Sequence, residues 1–305
     1  MNLWKLWKRE KRILHEQWRK CKRIVLIPFL KPLGNKKNSP QYIVSLTSYG
    51  MRLTHTAPYA IITIFNQRVK PDKIVLWVGH KDKENIPKIM EKLTRKGLEI
   101  RFCEDMRSYT KLIPALETFS KDYIITVDDD VFYPRNWFEQ LLATHKENPG
   151  KIICHRAHGM KVDENHDLLS YNQWSNCDGQ TIRKNLFPTG VGGILYPPKC
   201  FHNDIKNREL FMKLTPYADD IWFWAMALIN KDHWGEEYPY IVIENGYSIK
   251  LRDIDTRQTV NENALRNNNV DQNGNDRQLK AVIEYYPQIR EMLKKIKSIE
   301  PDLKE

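Results

Sequence analysis

Cysteine is scarce in this sequence, and the cysteines present do not form a framework. The five are odd in number and widely spaced, with neither a CxxC pair nor a zinc-type arrangement. They indicate reduced thiols in a cytoplasmic protein. Long hydrophobic runs are missing as well. The run from Ile24 to Leu30 is interrupted by Pro28 and falls far short of the roughly twenty apolar residues of a spanning helix. No cleavable signal is visible, so we expect a chain that does not cross a membrane by itself.

Glycine-rich phosphate loops are also lacking. The loop after the first predicted strand contains only Gly50, and neither GxGxxG nor GxxxxGK occurs. This counts against a dinucleotide oxidoreductase and against a P-loop enzyme. Any phosphate charge on a ligand must then be met by a metal ion and by scattered basic side chains.

Outside its first 37 residues the chain has almost no net charge. The formal charge is +11, but residues 1–37 hold twelve Lys or Arg against Glu10 and Glu16 and so carry +10 of it. A basic footprint over the globular part is not supported, and no nucleic-acid partner is expected.

The basic N-terminal segment has the pattern of an amphipathic helix. Its apolar residues follow a heptad-like spacing at Trp4, Trp7, Leu14, Trp18, Cys21 and Val25. Three tryptophans on a cationic helix favour residues 1–30 as an interfacial helix on the anionic inner face of the cytoplasmic membrane. The alternatives are a partner-binding helix and simple packing against the body. Residues 31–40 are predicted to form a linker.

From residue 42 onward, short apolar runs alternate with longer amphipathic stretches. The predicted strands are Tyr42–Thr47, Lys73–Val78, Leu98–Cys103, Tyr123–Val127 and Lys151–His158, and the predicted helices are 57–67, 86–95, 110–119 and 136–145. This alternation is typical of an α/β fold with a mostly parallel, twisted sheet and helices on both faces. We expect four parts: the basic segment 1–37, a first half over 41–158, a second half over 159–290 and a charged tail over 291–305.

The fourth predicted strand ends in three carboxylates, Asp128, Asp129 and Asp130. Because side chains alternate along a strand, Asp128 and Asp130 are expected on one face and Asp129 on the other. Two carboxylates that converge at the end of a buried strand require a cation, and Mg²⁺ or Mn²⁺ suits oxygen ligands. Asp129 is expected to support the loop or to contact a ribose. The alternative is a solvated turn in which Asp130 caps the next helix.

Ligands of such sheets bind beyond the carboxyl ends of the strands, where the loops have the composition of a phosphate and sugar site. Basic side chains there would neutralise phosphates, and Asp105 would accept from a ribose or base. Each residue alone is as well explained as a solvated surface group. The candidate donor-binding residues of these loops are Thr47, Tyr49, Arg52, Asp105, Arg107, Lys111 and Asp129. His155 and His158 are kept as possible acceptor-site residues.

The second half contributes a glycine cluster and an acidic pair. Gly190, Gly192 and Gly193 remove side chains where a ligand or another backbone approaches, although a plain turn is equally compatible. Asp219 and Asp220 begin an apolar helix, where one is expected to face the site as a general base and the other to cap the helix. Further expectations are an excursion over 163–184, a strand pair over 237–249, a lid loop over 261–275 and a closing helix over 276–297.

Five segments, taken in their order and spacing, resemble bacterial GT-A-fold glycosyltransferases of surface-polysaccharide gene clusters. The segments are Ser45–Tyr49, Pro71–Trp77, Phe102–Tyr109, Asp128–Asp130 and Ala218–Trp222. The resemblance, over residues 41–287, implies a nucleotide-diphospho-sugar donor in the first half and a glycan or lipid-linked acceptor in the second. It implies that Asp128 and Asp130 form the DxD metal motif, that Asp219 or Asp220 is the base of inverting members, and that Gly192–Gly193 lies beside the donor sugar. The late histidine that is a third metal ligand in many such enzymes has no counterpart after His233.

Other functions fit parts of the same pattern. A sugar nucleotidyltransferase also joins an α/β nucleotide fold to carboxylate-bound Mg²⁺, but it usually has a glycine-rich basic loop after the first strand. A hydrolase with a metal-bound water fits less well. From a different class, the basic arm alone would serve a non-enzymatic membrane-surface binding module.

Overall fold

The computed structural model describes residues 3–33, 40–164, 167–177, 185–235, 237–243, 252–253 and 274–294. Its strands are β1 Tyr42–Ser48, β2 Lys73–Gly79, β3 Leu98–Cys103, β4 Tyr123–Thr126, β5 Val131–Phe132, β6 Ile152–Cys154, β7 Ala157–Gly159, β8 Ser175–Cys177, β9 Leu186–Pro188, β10 Ile194–Tyr196, β11 Tyr240–Val242 and β12 Arg252–Asp253. Its helices are α1 Leu3–Leu26, α2 Arg52–His55, α3 Ala57–Phe65, α4 Lys88–Thr94, α5 Ile113–Thr118, α6 Trp137–Glu147, α7 Arg208–Leu214, α8 Asp219–Leu228, α9 Lys231–Trp234, α10 Gly274–Tyr285 and α11 Gln288–Lys294.

Seven strands form the main sheet, in the order β11-β6-β10-β4-β1-β2-β3. All neighbouring pairs are parallel except those of β10, which runs antiparallel to both β4 and β6. The predicted α/β class with a mostly parallel sheet is therefore confirmed. Two small sheets, β12-β5 and β8-β7-β9, accompany it.

Apolar layers cover both faces of this sheet. Along β1, Ile43 belongs to one core and Val44 to the other, as alternating side chains require. Helices α3, α4 and α6 contribute to the core on the Val44 face, whereas α5, α7, α8, α10 and α11 contribute to the core on the Ile43 face. Because β1 to β4 are parallel, the loops after them meet at one edge of the sheet.

The predicted N-terminal helix is present as α1, and its cationic side faces the body. Lys20 is buried, with its ammonium 5.3 Å from the ring centroid of Tyr59, and Arg23 lies 4.0 Å from that of Phe132. The chain then buries Ile27 and Leu30 in the core. Simple packing against the body, one of the alternatives for this segment, is therefore observed, and it uses the cationic side of α1. The exposed aliphatic and aromatic side chains of α1 include Trp4, Trp7, Leu14, Trp18 and Val25.

Several element boundaries differ from the sequence prediction. The predicted strand 151–158 is two strands, β6 and β7, which lie in different sheets. The predicted closing helix is interrupted at Pro287, because proline cannot donate the helical hydrogen bond. Asp276, considered as its cap, instead accepts from Ser170 Oγ and Tyr171 N at 2.6 and 2.7 Å. Of the predicted strand pair over 237–249 only β11 falls within the described residues, and the proposed lid lies outside them over 261–273.

Candidate functional site

The acidic stretch forms a turn between β4 and β5. Asp129 is buried, and its carboxylate accepts from Ser48 Oγ at 2.5 Å and from the Arg52 guanidinium. Arg52 Nη2 also lies 2.9 Å from Asp130 Oδ2. Asp129 and Asp130 therefore share one cation, and the predicted alternation of faces is wrong here because β4 ends at Thr126, before the first carboxylate.

Lys111 connects this turn to the acidic pair of the second half. Its ammonium lies 3.2 Å from Asp128 Oδ1 and 3.0 Å from Asp219 Oδ2, and its side chain is 9% exposed. Burial lowers the pKa of Lys111, but the charges of Asp128, Asp219 and Asp220 outweigh burial and hold that pKa well above its ordinary value. A charged lysine therefore lies at the centre of the cluster formed by Asp128, Asp219 and Asp220. The sequence had instead predicted that Lys111 neutralises a phosphate of the donor.

Asp219 and Asp220 have different environments at the start of α8. Asp219 is buried against Lys111, whereas Asp220 Oδ2 accepts from the backbone N of Gly190 at 3.2 Å. The other oxygen, Asp220 Oδ1, is buried and has no hydrogen-bond partner within the described part of the chain. Burial and then the charge of Asp219 raise the pKa of Asp220 to about 7. The capping role considered for one of the pair is not observed, since no side chain caps α8.

The glycine cluster packs the loop before β10 tightly against α6 and β6. Gly193 has a φ of +86°, and a Cβ there would lie 2.6 Å from Cζ2 of Trp137. Trp137 Nε1 donates to the carbonyl of Gly192 at 2.8 Å, and a Cβ on Gly192 would lie 2.9 Å from Cβ of His155. These two glycines are thus required by protein packing. Gly190 differs, because a Cβ there would lie 3.1 Å from both Asp220 Oδ1 and Lys111 Nζ.

The remaining candidates of the first half lie in the neighbouring loops. Asp105 forms an ion pair with Lys81 at 2.6 Å and accepts from the backbone N of Arg107 at 2.9 Å. These partners outweigh burial and lower the pKa of Asp105. Arg107 donates to the carbonyl of Pro216 at 2.9 Å, and so ties the loop after β3 to the segment that precedes Asp219. Tyr49 is exposed near Arg52, and Thr47 Oγ1 donates to the carbonyl of Trp77 at 3.0 Å.

Two histidines, His155 and His158, were considered as acceptor-site residues. His155 is fully buried against Trp137, and burial lowers its pKa to about 4, so it is not an acceptor-site residue. His158 lies in β7, with its ring 5.3 Å from that of Tyr171. Sequence analysis missed Ser48, Lys81 and Tyr133, whose hydroxyl accepts from the backbone N of Asp128 at 2.9 Å. Ser48 ends β1 and Lys81 follows β2. Their position at the carboxyl ends of these strands is the one sequence signal that could have identified them as site residues.

Asp128 and Asp130 are the two carboxylates that the sequence predicts to hold a metal ion. No group of three His, Cys, Asp or Glu side chains arranged to hold a metal ion occurs among the described residues. Asp128 and Asp130 are nevertheless both accessible, with 27% and 29% of their side chains exposed. Partial burial raises the pKa of Asp130 to about 6, and the negative charges of Asp129 and Asp128 act in the same direction. The positive charge of Arg52 opposes this shift but does not cancel it. An excess of negative charge on oxygen ligands fits a hard divalent cation.

Comparison with known proteins gives one family and several distant structures. The profile of Glycosyl transferase family 2 matches residues 56–209, which include Lys111, the acidic turn and the glycine cluster. S. aureus TarS 1-349 in complex with UDP is similar at 13% identity over 67% of this chain and 58% of that chain, with a TM-score of 0.44. The 4-diphosphocytidyl-2C-methyl-D-erythritol synthase from Anaerococcus prevotii has 14% identity over 72% and 92%, with a TM-score of 0.44.

A third solved structure is the mannosyltransferase PcManGT from Pyrobaculum calidifontis in complex with GDP-Man and Mn²⁺. It has 14% identity over 77% of this chain and 62% of that chain, with a TM-score of 0.42. The chain thus spans less than two thirds of the TarS and PcManGT chains. No curated protein matches the chain.

Proposed function

Because the chain belongs to glycosyl transferase family 2, we propose that it moves a sugar from a nucleotide-diphospho-sugar donor to a hydroxyl group of a glycan or lipid-linked acceptor. The observation that carries this proposal is the cluster formed by Lys111, Asp128, Asp219 and Asp220. It joins a candidate metal-binding turn in the first half to a candidate base in the second. The first half would bind the donor, and the second half the acceptor. The resemblance to enzymes of surface-polysaccharide clusters supports a bacterial surface glycan as the product.

Asp128 and Asp130 are the residues that would hold a divalent cation, Mn²⁺ or Mg²⁺. When bound, such a cation supplies Lewis-acid neutralisation of the departing nucleoside diphosphate. The pairing of the nearby cations supports this assignment: Arg52 is engaged by Asp129 and Asp130, and Lys111 by Asp128 and Asp219. Because these two basic side chains are already paired with carboxylates, they cannot by themselves neutralise the negative charge of a donor diphosphate.

Asp220 is the carboxylate that we assign as the general base. A base needs an oxygen that can accept the proton of the acceptor hydroxyl, within hydrogen-bond reach. Asp220 Oδ1 is without a partner within the described residues, while Asp220 Oδ2 is fixed by the amide of Gly190. Asp219 is held by Lys111 and is therefore oriented toward the cluster. In the proposed step, Asp220 takes the hydroxyl proton while the acceptor oxygen forms its bond to the anomeric carbon and the donor phosphate leaves.

A donor screen tests the proposed transfer. The full chain is incubated with a panel of nucleotide sugars and Mn²⁺, and release of nucleoside diphosphate and thermal unfolding are both recorded. We expect one donor to be hydrolysed slowly without acceptor and to stabilise the fold, by about 2.7 kcal/mol at a hundred times its Kd. Pyrophosphate release from a nucleoside triphosphate and a sugar phosphate would instead indicate a nucleotidyltransferase. Stabilisation by no nucleotide sugar would contradict the proposal.

We further propose that the protein binds the inner face of the cytoplasmic membrane through the apolar stripe of α1. No helix in the described part of the chain has the length and apolar character of a membrane span. The stripe instead exposes Trp4, Trp7 and Trp18 at 58%, 55% and 58% on the side of α1 that faces away from the body. Tryptophans flanked by cations are typical of helices that lie in the interface of an anionic membrane.

Replacing Trp4, Trp7 and Leu14 by serine is expected to weaken binding to anionic vesicles at least about tenfold, because the loss of even one fully buried apolar side chain costs about 1.5–3 kcal/mol. Deletion of residues 1–37 is not a clean test, because it would also remove Ile27 and Leu30 from the core. Co-sedimentation measures binding, and turnover on a soluble acceptor should be unchanged. Tyr285→Ser, at an exposed aromatic residue of α10, is the control. Equal vesicle affinity of the triple variant and wild type would refute the stripe as the contact surface.

A further inference from the structure

Arg107 joins the loop after β3 to the segment that leads into α8. Its Nη1 donates to the carbonyl of Pro216 at 2.9 Å, and its guanidinium carbon lies 4.6 Å from the centroid of the Tyr217 ring. A planar guanidinium suits this pair of contacts, because it donates hydrogen bonds in its plane while its face stacks on an aromatic ring. The arginine therefore holds two consecutive residues that lie shortly before the acidic pair of α8.

The backbone of Arg107 has an unusual conformation that its own loop maintains. Its φ is +58°, in the left-handed region that residues other than glycine rarely adopt. The backbone N of Arg107 donates to Asp105 Oδ1 at 2.9 Å, and Asp105 is in turn paired with Lys81 at 2.6 Å. Left-handed residues of this kind cluster at functional sites, where neighbouring contacts maintain them. The conformation distinguishes Arg107 from an ordinary surface arginine.

The orientation of the first turn of α8 depends on the segment that precedes it, because no side chain caps this helix. The buried hydroxyl of Tyr109 donates to the carbonyl of Thr215 at 2.6 Å. From the other side, Gln278 of α10 accepts from the backbone N of Tyr217 at 2.9 Å. Arg107 adds a third contact to the same segment, and it does so from a loop at the carboxyl edge of the sheet.

We propose that Arg107 is a positioning residue for Asp220 rather than a ligand of the donor phosphate, an inference that rests on the proposed transferase function. Asp220 follows Pro216 by four residues, so a shift of residues 215–217 displaces the carboxylate that takes the acceptor proton. A misplacement of about 1 Å at a catalytic group costs up to about a hundredfold in rate. Engagement of the guanidinium by Pro216 and Tyr217 supports this role over the predicted contact with phosphate.

Two Arg107 variants of the full chain test this role. Arg107→Asn removes the guanidinium, but asparagine tolerates the left-handed backbone and keeps the N–H that donates to Asp105. Arg107→Lys keeps a cation that can donate to the carbonyl of Pro216. Both are compared with wild type for release of nucleoside diphosphate from the nucleotide sugar that the donor screen identifies, with water as the nucleophile.

We expect Arg107→Asn to lower kcat about 10–100-fold, because the base is held less exactly, and Arg107→Lys to restore part of the loss. Donor affinity, measured as thermal stabilisation, should be unchanged in both variants. Hydrogen exchange gives a readout that does not depend on activity. The amides of Ile221 and Trp222, which donate to the carbonyl of Ala218 in the first turn of α8, should exchange faster in Arg107→Asn.

Arg101→Gln is the matched control. Arg101 likewise combines a hydrogen bond, to Glu99 at 2.7 Å, with a ring contact, at 4.8 Å from the centroid of Phe119. It lies in β3, and both of these partners are outside residues 215–220. This variant should keep wild-type values of kcat, donor affinity and hydrogen exchange in α8.

Three results would overturn the inference. Donor binding that is about tenfold or more weaker in Arg107→Asn, with kcat unchanged, would make Arg107 a phosphate ligand, since that is the effect of losing a hydrogen bond to a charged group. Unchanged kcat together with unchanged hydrogen exchange in α8 would refute the positioning role alone. A wild-type protein that binds and cleaves no nucleotide sugar would refute the transferase itself, and with it the role of Asp220 that Arg107 serves.

Discussion

Replacing Asp220 by asparagine is expected to lower kcat by about 10²–10⁴-fold, the range that a positioned general base contributes. Asparagine keeps the shape of the side chain and can still accept from the amide of Gly190, but it cannot take a proton. Donor affinity, measured as thermal stabilisation by the donor identified in the screen, should be retained. Loss of rate with retained binding would place the effect in the chemical step.

Asp219→Asn is the matched comparison, because it makes the same chemical change one residue earlier in α8. Its side chain would leave the buried ammonium of Lys111 with Asp128 as its remaining close carboxylate. We expect the free energy of unfolding to fall by about 1–3 kcal/mol and kcat to fall less than in Asp220→Asn. Urea unfolding and steady-state kinetics separate the two effects. Near-native rates in both variants would remove the base from this helix altogether.

The pH profile gives the same assignment a second readout. Since the pKa of Asp220 is raised to about 7 and a base must be deprotonated to act, kcat/KM should rise with pH up to about 7 and level off above it. The rising limb should be absent from the residual activity of Asp220→Asn. A limb that persists unchanged in that variant would assign the titration to another group.

The sequence was sufficient for the first four strands of the main sheet and for the position of the acidic turn. Lys73–Val78 is mostly apolar, with three β-branched residues, and Leu98–Cys103 alternates apolar with charged residues up to Phe102. The structure places β2 and β3 within one residue of these two runs. What single-sequence reasoning could not supply was the conformation after the fourth strand. The assumption that the strand continues through Asp130 led to the wrong faces for its carboxylates.

The role of Lys111 could not be predicted from the residues next to it in the sequence. Its partners Asp128 and Asp219 are distant in sequence, and only the packing of α8 against the sheet brings the latter to within 3.0 Å of its ammonium. A lysine after a strand therefore suggested phosphate, whereas the fold surrounds it with carboxylates. Likewise, His155 was kept as a possible acceptor-site residue, yet the close approach of Gly192 and Trp137 buries it.

Replacing Asp128 by alanine is expected to lower turnover at least about a hundredfold and to raise the Mn²⁺ concentration needed for half-maximal activity. Loss of either proposed ligand leaves one protein carboxylate for a cation that prefers several oxygen ligands. The wild-type protein should lose activity in chelator and regain it on addition of Mn²⁺. Undiminished activity of the wild-type protein in the presence of a chelator would refute the proposed metal role. Asp122→Ala is the control, because Asp122 lies at the opposite end of β4 and accepts from the backbone N of Gln41 at 2.8 Å.

Comparison with Asp130→Ala then separates the two roles proposed for Asp128, which are to hold the metal ion and to contact Lys111. Asp130 contacts Arg52, whereas Asp128 contacts Lys111 and through it the acidic pair of α8. Asp130→Ala should therefore change the Mn²⁺ requirement and leave the pH limb of Asp220 in place. Asp128→Ala should change both, because Lys111 then has one carboxylate fewer to share and its positive charge acts more strongly on its neighbours Asp219 and Asp220, which shifts the limb to lower pH. A limb at the same pH in both variants would show that the turn and the acidic pair work independently.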